Sequence, residues 1–143
     1  MSVKLTSYIN LNGNATQALK FYQDIFGGTI QSDTFQEFNQ RSNNAMPVPD
    51  QDKDKIMHAT LTGEYIELML SDVPSTWTDQ SNQSNIVLAL NGDDHQLIQE
   101  YWEKLAQGGT IDQPLEQAPW GDYFGSLVDQ FGVRWMVDIY KAN

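Results

Sequence analysis

The sequence predicts an α+β fold made of two tandem βαβββ modules, which would form a curved mixed sheet around a central cavity with the helices outside. Two short motifs support this prediction because each of them occurs twice. LNG stands at residues 11–13 and 90–92, and GGTI follows each copy, at residues 27–30 and 108–111. A repeat at a period of roughly 80 residues indicates two copies of one supersecondary unit. The full length of 143 residues suits one domain made of both copies.

The first module, about residues 1–72, reads as a strand, a helix and three further strands. SYINL favours the strand, and Asn14 with Gln17 has the pattern of a helix capping box. Apolar residues then recur at helical spacing up to Gly27, which ends the helix as a left-handed residue. Further on, KIMHATLTGEYIELML predicts a β-hairpin that turns at Gly63–Glu64.

The second module, about residues 84–143, repeats this order. NIVLAL favours a strand, Asp93 or Asp94 caps the next helix, and Gly108 ends it. YFGSLVDQFGVRWMVDIY then predicts a hairpin around residues 130–132. The second module is therefore expected to have the same fold as the first.

Two polar segments that contain proline and show no periodicity are predicted to be loops. One covers residues 37–54, and the other, residues 72–84, joins the two modules within a single domain of residues 1–143. Loops of this length serve as lids or as plain connectors, and both readings stay open. Met46, Val48 and Trp77 favour lids, since apolar residues in a polar loop need a surface to pack against.

The charge and residue composition exclude several classes of function. A net charge of -11 repels nucleic acids and anionic membranes. Neither an 18-residue apolar run nor a signal peptide is present, so we expect a cytoplasmic protein. The sequence has no cysteine, and imidazole chemistry rests on His58 and His95.

The predicted hairpin has one mixed face and one apolar face. A turn at Gly63–Glu64 would place His58 diagonal to Glu67, within reach of a hydrogen bond. The mixed face would be formed by three facing pairs, namely Thr62 with Tyr65, Thr60 with Glu67 and His58 with Met69. The apolar face would pack under a helix.

Several segments resemble the PhnB-like branch of the vicinal oxygen chelate superfamily, which includes glyoxalase I, extradiol dioxygenases and bleomycin-resistance proteins. They are YINLNGNATQALKFYQDIFGG, DKIMHATL, IELMLSD and WGDYFGSLVDQFGVRW. Members of this branch often carry the label 3-demethylubiquinone-9 3-methyltransferase. Gln130 departs from the branch, which usually has proline there. The resemblance also implies a homodimer.

The superfamily further implies a divalent metal held by four side chains, one from each of four inner strands. The matching positions fall on Ser7 (or Tyr8 if the register moves by one), Asn85 and Met136, and only Glu67 is a usual ligand type. We therefore predict no cofactor, a divalent metal has poor support, and the glyoxalase reaction is not inherited.

Two functions remain open, and in both the partner is a small molecule in the cavity between the modules. The protein is either an enzyme that uses Glu67 and His58 as an acid/base pair or as weak metal contacts, or a non-catalytic protein that sequesters a drug or metabolite. The methyltransferase label lacks support because no strand is followed by a glycine-rich nucleotide turn. The residues expected to bind the ligand are Tyr8, Thr60, Tyr65, Met69, Trp120 and Tyr123.

Overall fold

The computed structural model describes residues 4–43, 47–75 and 86–142. Contacts divide the chain into two compact units, residues 1–80 (module one) and residues 81–143 (module two). The described residues form two four-stranded mixed sheets and three α-helices. This confirms the predicted α+β class and its tandem βαβββ order.

Module one contains a four-stranded sheet in the order β1-β4-β3-β2. Strands β1 and β4 are parallel, and the other neighbours are antiparallel. Its elements are β1 (Ser7–Leu11), α1 (Ala15–Phe26), β2 (Thr29–Thr34), α2 (Phe35–Arg41), a 3-10 turn (Asp50–Asp52), β3 (Ile56–Thr62) and β4 (Glu67–Asp72).

Module two repeats the arrangement, with strand order β5-β8-β7-β6 and a parallel β5/β8 pair. Because both the order and the strand directions agree, the doubled motifs mark two copies of one unit. Strand β5 begins at Leu88, three residues later than NIVLAL suggested, and Asn85 lies outside the described residues. The elements are β5 (Leu88–Gly92), α3 (His95–Ala106), β6 (Thr110–Gln117), β7 (Tyr123–Val128) and β8 (Arg134–Ile139).

Each module buries one stripe of its long helix against one face of its own sheet. The spacing of three and four residues in each stripe places the apolar side chains on the same side of the helix. In module one the stripe is Ala15, Ala18, Leu19, Tyr22 and Ile25, over Ala59, Leu61, Leu68 and Leu70. In module two it is Ile98, Tyr101, Trp102 and Leu105, over Leu127, Trp135, Val137 and Ile139.

The two glycines of each GGTI motif have different tasks. Gly27 and Gly108 adopt positive φ angles of 72° and 74°, which suits a residue without a side chain at the end of a helix. The following glycine passes close to another strand. A Cβ on Gly28 or Gly109 would lie 2.4 Å from the carbonyl oxygen of Thr62 or Val128, respectively.

The predicted capping of α1 by the Asn14 side chain is wrong. Asn14 is the N-cap residue, but its side chain makes no capping hydrogen bond and its buried Oδ1 has no partner. Asp72 acts instead: its Oδ1 accepts from the N–H groups of Gly13 at 2.9 Å and Ala15 at 3.0 Å. In module two the predicted cap is found, because the Asp94 side chain accepts from Leu97 N–H at 3.1 Å.

The predicted loop at residues 37–54 is partly helical. Helix α2 extends to Arg41 and begins with a capping box in which Thr34 and Glu37 bond reciprocally. A helix forms here because the Thr-x-x-Glu pattern satisfies two N–H groups that would otherwise be free at a helix start. Met46 and Trp77, which favoured a lid, lie outside the described residues.

Candidate functional site: the polar face of module one

The hairpin β3/β4 turns over four residues, so the predicted turn at Gly63–Glu64 is wrong. Gly63 N–H donates to Ile66 O at 2.9 Å, and Thr62 pairs with Glu67. The dipeptide Gly-Glu lacks the Asn-Gly or Asp-Gly pattern that fixes a two-residue turn, and here the longer turn forms.

The new register separates His58 from Glu67. Thr60 pairs with Met69, so continuing the ladder places His58 beside Ser71, four residues from Glu67 along β4. At roughly 3.3 Å per residue the two residues are offset by about 13 Å along the strand direction. The predicted hydrogen bond between the two side chains is therefore wrong.

The hairpin still has one mixed face and one apolar face, because a register shift of two residues leaves each side chain on the same side of the sheet. We name the face opposite α1 the polar face of module one. Tyr65, which was predicted to join it, lies in the turn and is 66% exposed. The polar face includes Tyr8 and Asn10 on β1, Thr29, Gln31 and Asp33 on β2, His58, Thr60 and Thr62 on β3, and Glu67, Met69 and Ser71 on β4.

Tyr8 and His58 form the central contact of the polar face. The Tyr8 hydroxyl oxygen lies 3.4 Å from His58 Nδ1, and the two rings are tilted by 30° with centroids 5.8 Å apart. On its other side, His58 Nε2 lies 3.5 Å from the hydroxyl oxygen of Thr60. Tyr8 remains 49% exposed, so one side of this ring pair is accessible.

Glu67 is engaged by a residue that the sequence reasoning missed. The Lys4 ammonium group forms an ion pair with Glu67 Oε2. The Glu67 side chain is 23% exposed and that of Lys4 is 65% exposed. Lys4 lies before β1, where the alternation of side chains along a strand does not apply, so no periodic pattern identified it.

The far end of the polar face is held by a side-chain hydrogen bond. The Ser71 hydroxyl donates to Asn10 Oδ1 at 3.2 Å, which joins the paired strands β4 and β1. Polar groups therefore lie at both ends of β4, Glu67 at one end and Ser71 at the other, with Met69 between them.

Two of the expected metal positions that the structure describes, Ser7 and Glu67, do not fit a divalent ion. Ser7 pairs with Leu68 and lies on the face covered by α1, while Glu67 is already bound to Lys4. The neighbouring Met69 is a soft ligand, unsuited to a site built on a carboxylate. Within the described residues no three His, Cys, Asp or Glu side chains form a cluster that could hold a metal.

The predicted ligand residues of module two lie on different faces. Tyr123 is on the side of α3, where its ring meets His95 edge-on at 4.7 Å between centroids. Trp120 lies before β7, is 66% exposed and contacts Phe124 at 6.2 Å between centroids. Met136 faces away from α3, beside Ser126. Trp120 is thus accessible to a ligand, whereas Tyr123 takes part in helix packing.

Asp129 organises the turn between β7 and β8. Its Oδ1 accepts from the N–H groups of Phe131 at 2.8 Å and Val133 at 3.1 Å. Its Oδ2 accepts from the indole N–H of Trp135 at 2.9 Å. This carboxylate is 3% exposed and serves the fold of module two.

Asp52 is a second structural carboxylate, in module one. Burial raises its pKa, but the hydrogen bonds from Lys55 and Ser75 outweigh burial and leave the pKa below its ordinary value. Lys55 Nζ lies 3.0 Å from Oδ1, and the Ser75 hydroxyl donates to Oδ2 at 2.8 Å. Asp52 thus fixes the segment before β3 to the segment after β4.

In the part of the chain that the structure describes, no helix has the length and apolar character needed to cross a membrane.

Comparisons with known proteins agree with the fold of both modules. The model of the Glyoxalase/Bleomycin resistance protein/Dioxygenase superfamily matches residues 8–137. Protein YjdN of Escherichia coli K12 is 25% identical over 148 residues, which cover 97% of each chain.

Two solved structures extend the agreement. Protein PA1353 from Pseudomonas aeruginosa is 30% identical with a TM-score of 0.80, over 99% of this chain and 100% of that one. The PhnB protein from Bacillus cereus is 26% identical with a TM-score of 0.71, over 96% and 100%. The resemblance seen in the sequence motifs is confirmed, and the chain belongs to the glyoxalase/bleomycin resistance protein/dioxygenase superfamily.

Proposed function

We propose that the protein binds a small organic molecule on the polar face of module one, against the Tyr8 and His58 rings. The observation that carries this proposal is the half-exposed Tyr8 ring beside the His58 imidazole, on a sheet face without a continuous apolar surface. A site with an accessible aromatic surface and a few convergent polar groups is typical of small-molecule recognition.

The arrangement suits a planar ligand that carries oxygen or nitrogen acceptors. The Tyr8 ring offers an apolar face, and the hydroxyls of Tyr8 and Thr60 offer hydrogen bonds. His58 is the residue placed to exchange a proton with such a ligand, because an imidazole ring can both donate and accept a proton and this one lies next to both hydroxyls. Glu67 has no part in orienting it.

The second candidate function is sequestration without chemistry, and the Lys4–Glu67 ion pair favours it. The Glu67 carboxylate is occupied by the Lys4 ammonium group, so it is not offered to a ligand as a free base. In this version the polar face supplies shape and hydrogen bonds, and His58 contributes no proton transfer. The two candidates share the binding site and differ in whether the ligand is altered.

The binding site is tested by a thermal-shift screen of small aromatic and oxygenated metabolites, followed by isothermal titration of any ligand found. Tyr8→Ala and His58→Ala should each weaken binding about tenfold or more, because each removes a ring from the site, and one ring contact is worth about 0.5–1.5 kcal/mol beyond its buried area. Tyr140→Ala is the matched control, since Tyr140 is 46% exposed, close to the 49% of Tyr8.

Binding that is unchanged in both variants but lost in Tyr140→Ala would place the ligand elsewhere and refute the proposal. Mass spectrometry of the ligand after incubation separates the two candidates. A product formed by the wild type and not by His58→Gln supports an enzyme, and unaltered ligand supports sequestration.

A further inference from the structure

A second ion pair lies on the polar face of module one, at its edge strand β2. Asp33 is the ladder partner of His58, so the two side chains share this face on neighbouring strands that are about 5 Å apart. Arg41 Nη2 donates to Asp33 Oδ2 at 2.8 Å. Helix α2 thus brings a guanidinium group to the edge of the polar face, on the side of His58.

The Arg41 guanidinium group is held by contacts on two sides. Its Cζ lies 5.8 Å from the centroid of the Phe38 ring, one turn earlier on α2, which is within the range of a cation–π contact. Glu37, the other acid of α2, is turned toward the start of the helix, where its Oε1 accepts from Thr34 N–H at 3.1 Å. Among the described residues, Asp33 is the acid that forms an ion pair with Arg41. A cationic group that is already positioned loses less freedom when a ligand binds to it.

The charges of the polar face of module one are balanced, unlike those of the whole chain, which has 19 acidic and eight basic residues. The two acids among the residues of this face are Asp33 and Glu67, and each of them is bound to a cation. In both pairs the cation is the more exposed partner. The side chain of Arg41 is 61% exposed and that of Asp33 is 32% exposed, and Lys4 and Glu67 differ in the same sense. A ligand that approaches this face therefore meets positive charge first.

Arg41 is better placed than Lys4 to contact a ligand beside His58. The partner of Lys4, Glu67, is offset from His58 by about 13 Å along the strands, whereas Asp33 lies directly opposite His58. A guanidinium group also presents a planar fork of N–H donors that matches the two oxygens of a carboxylate, which an ammonium group lacks.

We propose that the molecule bound on the polar face of module one is a planar organic acid, with its ring against Tyr8 and His58 and its carboxylate bound by Arg41. This inference rests on the proposed function and adds the chemical class of the ligand. It also gives Arg41 a role that α2, a helix with no buried residue, does not need for packing.

The test is a set of NMR titrations of the full-length protein with three planar acids, benzoate, salicylate and cinnamate, each compared with its own uncharged amide. In the wild type each acid should bind more tightly than its amide and shift the backbone signals of Tyr8 and His58. In Arg41→Gln the dissociation constant of each acid should rise about threefold to fivefold, a modest factor because water screens an exposed guanidinium group. The amides should bind to this variant as they do to the wild type.

Two further variants separate the geometry of Arg41 from its charge. Arg41→Lys keeps the charge but loses the planar fork, so it should recover only part of the affinity for the acids. Lys20→Gln is the matched control, because it also removes the cation of an exposed ion pair, with Asp24 on α1. Lys20→Gln should leave the affinity for acids and amides unchanged.

The outcomes that overturn the organic acid differ from those that overturn the binding site. If the acids bind no more tightly than their amides while Tyr8→Ala weakens both, the ligand class is wrong and the proposed site stands. If Lys4→Gln weakens the acids more than Arg41→Gln does, the assignment of the carboxylate to Arg41 is wrong. If none of the six compounds shifts the signals of Tyr8 and His58, the organic acid is refuted, and the thermal-shift screen decides on the site by itself.

Discussion

Asp72 should be the side chain on which the fold of module one depends most. It is 3% exposed and accepts three backbone hydrogen bonds, from Gly13 and Ala15 at Oδ1 and from Ile56 at Oδ2 at 2.9 Å. One carboxylate thus caps α1 and fixes the first residue of β3. Replacing it with alanine leaves all three N–H groups without their acceptor.

The cost of Asp72→Ala follows from the burial of those three groups. The amides of Ala15 and Ile56 form buried hydrogen bonds, and losing the charged acceptor should cost about 1.5–2 kcal/mol for each. The Gly13 amide is only partly buried and should add about 0.5–1 kcal/mol, since water replaces part of its bond. We expect Asp72→Ala to lower the free energy of unfolding by about 4 kcal/mol, and Asp72→Asn by about half as much.

Urea unfolding followed by far-UV circular dichroism measures this loss, and amide hydrogen exchange locates it. The N–H groups of Ala15 and Ile56 should exchange faster in both variants. Asp24→Asn is the control, because Asp24 is 60% exposed and pairs with Lys20 one turn away on the same helix. Asp24→Asn should lower the free energy of unfolding by less than about 0.5 kcal/mol. A loss below about 1 kcal/mol in Asp72→Ala, or unchanged exchange at Ala15, would refute the reasoning.

Two further predictions concern acid stability and packing. Asp52→Asn should make the free energy of unfolding less sensitive to acid below pH 3.8, which unfolding at graded pH measures. The reason is that the lowered pKa of Asp52 gives stability that is present above pH 3.8 and is lost as the pH falls through the folded pKa. If the variant loses stability with falling pH as steeply as the wild type, this prediction is contradicted. Gly125→Ala should lower the free energy of unfolding, measured in urea, by about 1–3 kcal/mol, because its Cβ would lie 2.8 Å from the Trp102 ring and 3.0 Å from Leu115 Cα. Gly63→Ala, whose Cβ would meet its nearest atom at 3.4 Å, should be nearly neutral, and equal losses in both would contradict the packing argument.

The architecture could be predicted from the sequence because its signals are local. Helix stripes, the Gly27 and Gly108 stops and strand alternation each depend on residues within a few positions of one another. The same alternation placed Thr60 and Glu67 on the correct face of the hairpin. These features need no knowledge of distant contacts.

The candidate site was harder to predict because it depends on register and on distant partners. A turn two residues longer moved His58 away from Glu67, and the side chain that His58 contacts, Tyr8, is 50 residues distant in sequence. The Lys4–Glu67 pair spans 63 residues, and the capping of α1 by Asp72 spans 57. No periodic pattern encodes pairings of this kind.

The buried aspartates also show how far the two copies have diverged. When the LNG motifs are aligned, Leu11 matches Leu90, whose partner on β8 is the apolar Val137 where module one has Asp72, and α3 is capped locally by Asp94 instead. Module two concentrates its buried carboxylate at Asp129, within six residues of all its partners. In a chimera built from two copies of module two, the turns and helix caps would therefore form from residues close in sequence. In a duplicated module one, each copy of α1 would be capped only when the end of its own fourth strand lies against it. The start of α1 thus depends on a carboxylate 57 residues away, whereas the start of α3 is capped by a residue three positions from the amide it accepts from.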